Sequence, residues 1–143
     1  MSKVFEVELG GKTRRLSYDW ASARPFFKKH GSKPFKFLIQ DCAGYVLNEK
    51  GETTGAISYE LVDDDKRVAL LTLGLKASEE DVGKWLNMVV IGGGSIADVT
   101  WTAVKAAFYA GVTGKSIDLE AAAEKDTATE GKEDVTGTEP PTA

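Results

Sequence analysis

Apolar residues between positions 63 and 111 recur at helical spacing in three consecutive stretches. In the middle stretch they lie at offsets of zero, three, four, seven and eight, which is one side of an α-helix: Val82, Trp85, Leu86, Val89 and Val90. Ser78 precedes this stretch as a helix N-cap, and the glycines that begin at Gly92 can end the helix. The pattern therefore predicts a helix between Ser78 and Gly92, with Trp85 on its core side.

Two further helices are predicted on either side of this one. The first follows the acidic run at residues 63–65, which suits the positive end of a helix, and it ends near Lys76, where a cation is favoured. The second is capped by Ser95, covers residues 96–110 and stops at Gly111. Each helix has its own start and stop signal.

The last of these helices carries apolar residues on two sides. One side is made by Ile96, Val99, Ala103, Ala107 and Ala110, and the other by Trp101, Val104 and Phe108. One side can face the core, but the second needs a cover, because large contiguous apolar patches are uncommon on monomers. We therefore expect Trp101, Val104 and Phe108 to meet another part of the chain or to form an interface with a neighbouring protein, including a second copy.

The N-terminal eighteen residues alternate between apolar and polar positions around a turn. Residues 4–9 and 14–18 have the period of two that half-buried strands show, and Gly10-Gly11-Lys12 between them is a tight-turn signal. A lone hairpin is marginally stable in water, so it must pack on the helices. The predicted fold class is α+β, with an N-terminal β-hairpin packed on a small helical bundle.

The middle of the chain is more ambiguous. Asp19 can cap a short helix that begins at Trp20, which Pro25 breaks or kinks. Residues 35–46 are assigned to a helix, although residues 45–47 and 56–62 could instead form a second hairpin, because short apolar runs do not distinguish helix from strand. Both alternatives stay open at this point.

Composition divides the chain into a globular domain, 1–112, and a flexible, largely disordered tail, 113–143. From position 125 onward the residues are mainly threonine, glutamate, glycine, lysine and proline, which offer almost no apolar surface to offset the entropy of ordering. With 143 residues and 42% hydrophobic content, the chain is expected to form one domain. It has no apolar run of the roughly 20 residues that span a bilayer and no signal-peptide pattern, so we expect it in the cytosol and not in a membrane.

Residues with catalytic or ligand-binding chemistry are few. A single cysteine, Cys42, and a single histidine, His30, exclude an internal disulfide and leave no zinc cluster, so no metal or cofactor is expected. Cys42 lies among apolar residues and reads as a core residue, and His30 reads as part of a surface turn. Gly92-Gly93-Gly94-Ser95 follows a helix and lacks a phosphate-loop lysine, so it reads as a helix break.

Charge argues against nonspecific attachment to nucleic acid. The formal net charge is −4, and the one local basic run is interpreted as solvated surface: Lys28, Lys29, Lys33 and Lys36. A small regulatory protein that binds DNA through this run remains an alternative, whose binding would weaken steeply with added salt.

The order of these parts resembles the tail assembly chaperones of long-tailed bacteriophages and the related small tail proteins of gene transfer agents. The resemblance covers residues 4–111 and depends on the hairpin, on Arg67-Val68-Ala69-Leu70-Leu71-Thr72-Leu73-Gly74-Leu75, on Ser78-Glu79-Glu80-Asp81-Val82-Gly83 and on Gly92-Gly93-Gly94-Ser95-Ile96. It is a match of pattern rather than of an invariant motif. The stretch 48–59 departs from the compact pattern expected of the family.

The resemblance implies a protein that is not an enzyme and that works in the host cytoplasm. Such a chaperone coats the tape measure protein, keeps it soluble and recruits tail tube protein during tail polymerisation. Some members are also made in a longer form by ribosomal frameshifting, for which Gly131 and Lys132 mark a possible position. The alternative within the same biology is a structural tail tube or tail terminator subunit, but tube proteins are mainly β and the strongest signals here are helical.

Overall fold

The computed structural model describes residues 4–31 and 33–114, and this part of the chain is α+β. Strands β1 (Phe5–Leu9) and β2 (Lys12–Leu16) pair in antiparallel register. The turn between them uses Gly10 and Gly11, both at positive φ, as two-residue hairpin turns demand. The alternating pattern buries one face of β1 and leaves the glutamates of the other face exposed, so the predicted hairpin is confirmed.

Helix α1 (Trp20–Lys29) follows the hairpin and begins at Asp19, whose carboxylate accepts a hydrogen bond from the Ser22 backbone N–H at 2.8 Å. The helix continues through Pro25, so the predicted break at this residue is wrong. Pro25 lacks the N–H that would pair with the Ala21 carbonyl. Because both residues are exposed, water can satisfy that carbonyl.

The next segment is helical only in its first part. A short helix α2 (Pro34–Lys36) runs into a π-helix (Phe37–Cys42), and Gly44 then takes a φ of +87°, which ends the helical conformation. Strands β3 (Tyr45–Leu47) and β4 (Thr53–Ile57) follow as an antiparallel pair. The assignment of residues 45 and 46 to a helix is therefore wrong. A second hairpin does form, but its second strand covers Thr53–Ile57 and not residues 56–62 as predicted.

The three predicted helices are confirmed. A 3-10 turn (Tyr59–Leu61) leads into α3 (Asp64–Leu75), which is followed by α4 (Glu79–Ile91) and α5 (Ile96–Tyr109). Their N-caps are Asp63, Ser78 and Ser95, each accepting a backbone hydrogen bond from the first turn of its helix. Lys76 ends α3 in the left-handed conformation, with a φ of 55°.

Helix α5 lies at the centre of the core, in contact with α3, α4, β1 and the π-helix. Val104 and Phe108 on this helix are 0% and 1% exposed, and the Phe108 ring packs 5.9 Å, centroid to centroid, from Phe35. Of the two predicted alternatives, cover by another part of the chain is therefore correct for these two residues, and neither is exposed to form an interface with a partner protein. Trp101 is half-buried and packs against the core.

Two predictions concern residues that the structure does not describe. The expected tail, 113–143, lies outside the described residues except for its first two positions, and so does the frameshift position at Gly131 and Lys132. Among the described helices, none combines the length and the apolar character that crossing a membrane requires.

Candidate functional site

The Cys42 and His30 side chains both pack against other side chains of the fold. Cys42 is fully buried, and desolvation together with the neighbouring Asp41 carboxylate raises the pKa of its thiol to about 12. The His30 ring packs on two phenylalanine rings, with its centroid 4.6 Å from that of Phe26 and 5.6 Å from that of Phe37. Within residues 4–31 and 33–114, no group of three or more His, Cys, Asp or Glu side chains is placed to hold a metal ion.

A strip of apolar side chains runs along α4 to its C-terminal end. Trp85, Met88 and Ile91 follow at intervals of three residues, which makes them neighbours on one side of the helix. Trp85 is half-buried, Met88 is 53% exposed and Ile91 is 77% exposed. We call these three residues the α4 strip.

The end of α4 is apolar on nearly every side. Val90, on the other flank of the last turn, is 53% exposed, whereas Val89 turns towards the core. The three glycines that follow carry no side chains to cover Ile91, and Gly94 lies so close to Val89 that a Cβ there would be 2.9 Å from its Cγ1. Exposed apolar groups of this kind commonly mark a binding surface.

The β1–β2 turn forms one wall of an open groove beside the α4 strip. The groove has a volume of about 370 Å³; Trp85, Met88 and Val89 line it on the α4 side, and Glu8 and Lys12, which flank the turn, line it on the hairpin side. A Cβ on Gly10 would lie 2.5 Å from Trp85 Cδ1, so only glycine allows the turn to approach the indole this closely. The groove is therefore apolar on the α4 side and polar on the hairpin side, where Glu8 and Lys12 contribute one charge of each sign.

Trp101, the remaining predicted interface residue, lies elsewhere. Its ring centroid is 6.0 Å from that of Tyr45, and the two line a small pocket of about 190 Å³ together with Ile57 and Tyr59. Tyr59 is 74% exposed, so this area has an apolar surface of its own. The structure does not bring Trp101 together with Val104 and Phe108 at the surface, and self-association through Trp101 stays a prediction.

Sequence reasoning missed Met88 and Ile91 and assigned Val90 to the buried side. The available signal was the uninterrupted run Met88-Val89-Val90-Ile91, because four consecutive apolar residues occupy every side of a helical turn. One side of such a turn can face the core. The others must then be exposed.

Comparison of the chain with protein families, with curated proteins and with solved structures finds no match.

Proposed function

We propose that the protein is a phage tail assembly chaperone that binds the tape measure protein, keeps it soluble in the host cytoplasm and recruits tail tube protein. The observation that supports this proposal is the α4 strip with its adjoining groove. The exposed part of the strip is apolar, and a surface of this kind can act by binding alone.

The form of the surface suits a helical client. An amphipathic helix binds by inserting side chains from one face into an apolar groove, and the resemblance to tail assembly chaperones implies a long helical client with such faces. Met88 and Trp85 can contact side chains that enter the groove, while Ile91 extends the contact beyond its end. A few well-placed apolar anchors supply most of the binding energy in interfaces of this kind.

The helical content and the small sheets also support a chaperone over a tail tube or terminator subunit. Both sheets in the described residues have only two strands, and five α-helices are interspersed with them. A tube subunit of the expected mainly β type would need a larger sheet.

The decisive experiment is co-expression with the tape measure protein from the same genome. We expect the tape measure protein to become soluble and to co-purify with this chain. The variant Met88→Gln with Ile91→Gln should reduce co-purification, because it removes the exposed part of the α4 strip while glutamine preserves helix propensity.

The matched control is Ile57→Gln with Tyr59→Gln, which removes exposed apolar side chains beside Trp101 instead. The free energy of unfolding of both variants should lie within about 0.5 kcal/mol of that of the unaltered protein, since they change only surface residues. Loss of the client in the control alone would place binding at the Trp101 surface. A client that remains insoluble with every form of the chain would contradict the proposed function.

A further inference from the structure

A second groove lies beside the point where the described chain ends. It has a volume of about 410 Å³ and lies between α1, the start of α2 and the residues that follow α5. Trp20, 51% exposed, forms one wall, and the buried side chains of Phe27 and Val112 form the floor. This groove thus offers an aromatic and aliphatic surface distinct from the α4 strip.

The rim of this groove is positively charged. Arg24, Lys28 and Lys33 line it, and the Arg24 guanidinium carbon lies 5.9 Å from the centre of the Trp20 ring. No carboxylate in the described part of the chain forms an ion pair with any of these three side chains. An occupant that complements the groove would combine apolar side chains with negative charge.

The chain continues from this groove into a segment of that composition. A Cβ on Gly114, the last described residue, would lie 3.9 Å from Trp20 Nε1. Residues 1–114 contain 15 basic and 14 acidic side chains, whereas residues 115–143 contain three and eight. The net negative charge of the protein therefore resides in the segment that leaves the groove.

The first residues of that segment alternate between apolar and acidic. Ile117 and Leu119 alternate with Asp118 and Glu120, so in an extended conformation the two aliphatic side chains would point to one side and the carboxylates to the other. Three residues of extended chain reach about 10 Å, so Ile117 can reach the groove from Gly114.

We infer that residues 117–120 bind in the groove of their own chain, with Ile117 and Leu119 against Trp20 and with the carboxylates beside Lys28 and Lys33. Because the segment is covalently attached at the edge of the groove, its effective concentration there is in the millimolar range or above, so weak contacts suffice. The charged contacts are exposed and would weaken as salt is added. This inference is independent of the proposed client.

The test is NMR spectroscopy of the full-length protein with Ile117→Ser and Leu119→Ser. We expect the indole N–H signal of Trp20 and the backbone N–H signals of Lys28 and Gly31 to shift in this variant, although all three residues are remote from the substitutions in sequence. In the unaltered protein, added salt should move the same signals towards their positions in the variant.

The matched control is Val135→Ser, which makes the same type of change far from residues 117–120 and should leave these signals in place. The shifts in the double variant should not depend on protein concentration. Unchanged groove signals in the double variant would overturn the inference. Concentration-dependent shifts would overturn it as well, because the groove would then bind the segment of a neighbouring copy.

Discussion

The guanidinium carbon of Arg14 lies 3.7 Å from the centre of the Trp85 ring, and Arg14 Nε donates a hydrogen bond to the Leu9 carbonyl at 2.7 Å. One side chain from β2 therefore holds the end of β1 and stacks on the indole that lines the groove beside the α4 strip. The position of the hairpin turn relative to α4 depends on this contact and on the close approach of Gly10 to the same indole.

Replacing Arg14 by glutamine should reduce stability. The substitution removes a cation–π contact and a hydrogen bond, each worth about 1 kcal/mol, so the free energy of unfolding should fall by about 1–2 kcal/mol. Urea unfolding followed by circular dichroism measures the change. Arg15→Gln is the control, because Arg15 is exposed on the opposite face of β2. Equal losses of unfolding free energy in the two variants would show that the contact between Arg14 and Trp85 does not stabilise the protein.

The parts of this fold that sequence could predict are those defined by local signals. The helices α3, α4 and α5 start where Asp63, Ser78 and Ser95 offer an oxygen to a free backbone N–H, and a cap acts within three residues of its own position. The first hairpin likewise follows from alternation around two adjacent glycines. These features need no knowledge of the rest of the chain.

The parts that could not be predicted depend on contacts between distant residues. Val104 and Phe108 looked uncovered because nothing near them in sequence shows that β1 and the π-helix pack over α5. Tyr45 and Val46 fit either a helix or a strand, and the partner strand β4 decides between the two. The α4 strip was not predicted for the same reason, since exposure of Met88 and Ile91 depends on which side of α4 the core occupies.

Substitution by alanine should lower the stability of the protein at Gly74 and raise it at Gly83. A Cβ on Gly74 would overlap the Tyr18 ring, whose hydroxyl donates a hydrogen bond to the Leu70 carbonyl at 2.8 Å. Gly74→Ala must displace that ring and should destabilise the protein by about 1–3 kcal/mol, the usual cost of overpacking.

Gly83 has no neighbour within 4 Å of the position that its Cβ would occupy, and it lies within α4. Gly83→Ala should therefore raise the free energy of unfolding by about 0.5–1 kcal/mol, because alanine loses less backbone entropy in a helix. Thermal unfolding of both variants provides the measurement. A stabilised Gly74→Ala protein would mean that Tyr18 does not pack against α3 as described.

The ion pair between Lys66 and Asp41 should contribute far more to the free energy of unfolding than the one between Lys84 and Glu80. The first has an Nζ to Oδ2 distance of 2.7 Å, with the Asp41 side chain only 10% exposed, whereas both side chains of the second are mostly exposed. Lys66→Met removes the lysine partner of a buried carboxylate and should cost about 3 kcal/mol. Lys84→Met should cost less than about 1 kcal/mol.

Added salt separates these two effects further. Urea unfolding measures the loss of unfolding free energy in each variant at low and at high salt. The loss caused by Lys66→Met should be nearly the same at both, because a buried pair is poorly screened, whereas any loss caused by Lys84→Met should vanish at high salt. A Lys66→Met protein as stable as the Lys84→Met protein would show that Asp41 does not depend on its contact with α3.

Alkaline pH should destabilise the fold through Cys42 and Tyr18. Burial raises the pKa of the Cys42 thiol from 9.0 to about 12 and raises the pKa of the Tyr18 hydroxyl well above 10.0. Between pH 9 and pH 12 the unfolded thiol loses its proton while the folded thiol keeps it. The unfolded state then binds fewer protons, so the free energy of unfolding falls as pH rises through this interval.

Comparing variants isolates the contribution of these two groups from every other effect of high pH on stability. Cys42→Ala should be less stable than the unaltered protein at neutral pH, because it leaves a cavity, but its unfolding free energy should decline less steeply above pH 9. Tyr18→Phe should likewise make the unfolding free energy fall less steeply with pH, at pH values above those at which Cys42 acts. Urea midpoints measured across this range for the three proteins provide the slopes. Parallel slopes would mean that the thiol and the hydroxyl ionise as readily in the folded state as in the unfolded one, and hence that neither is desolvated by the fold.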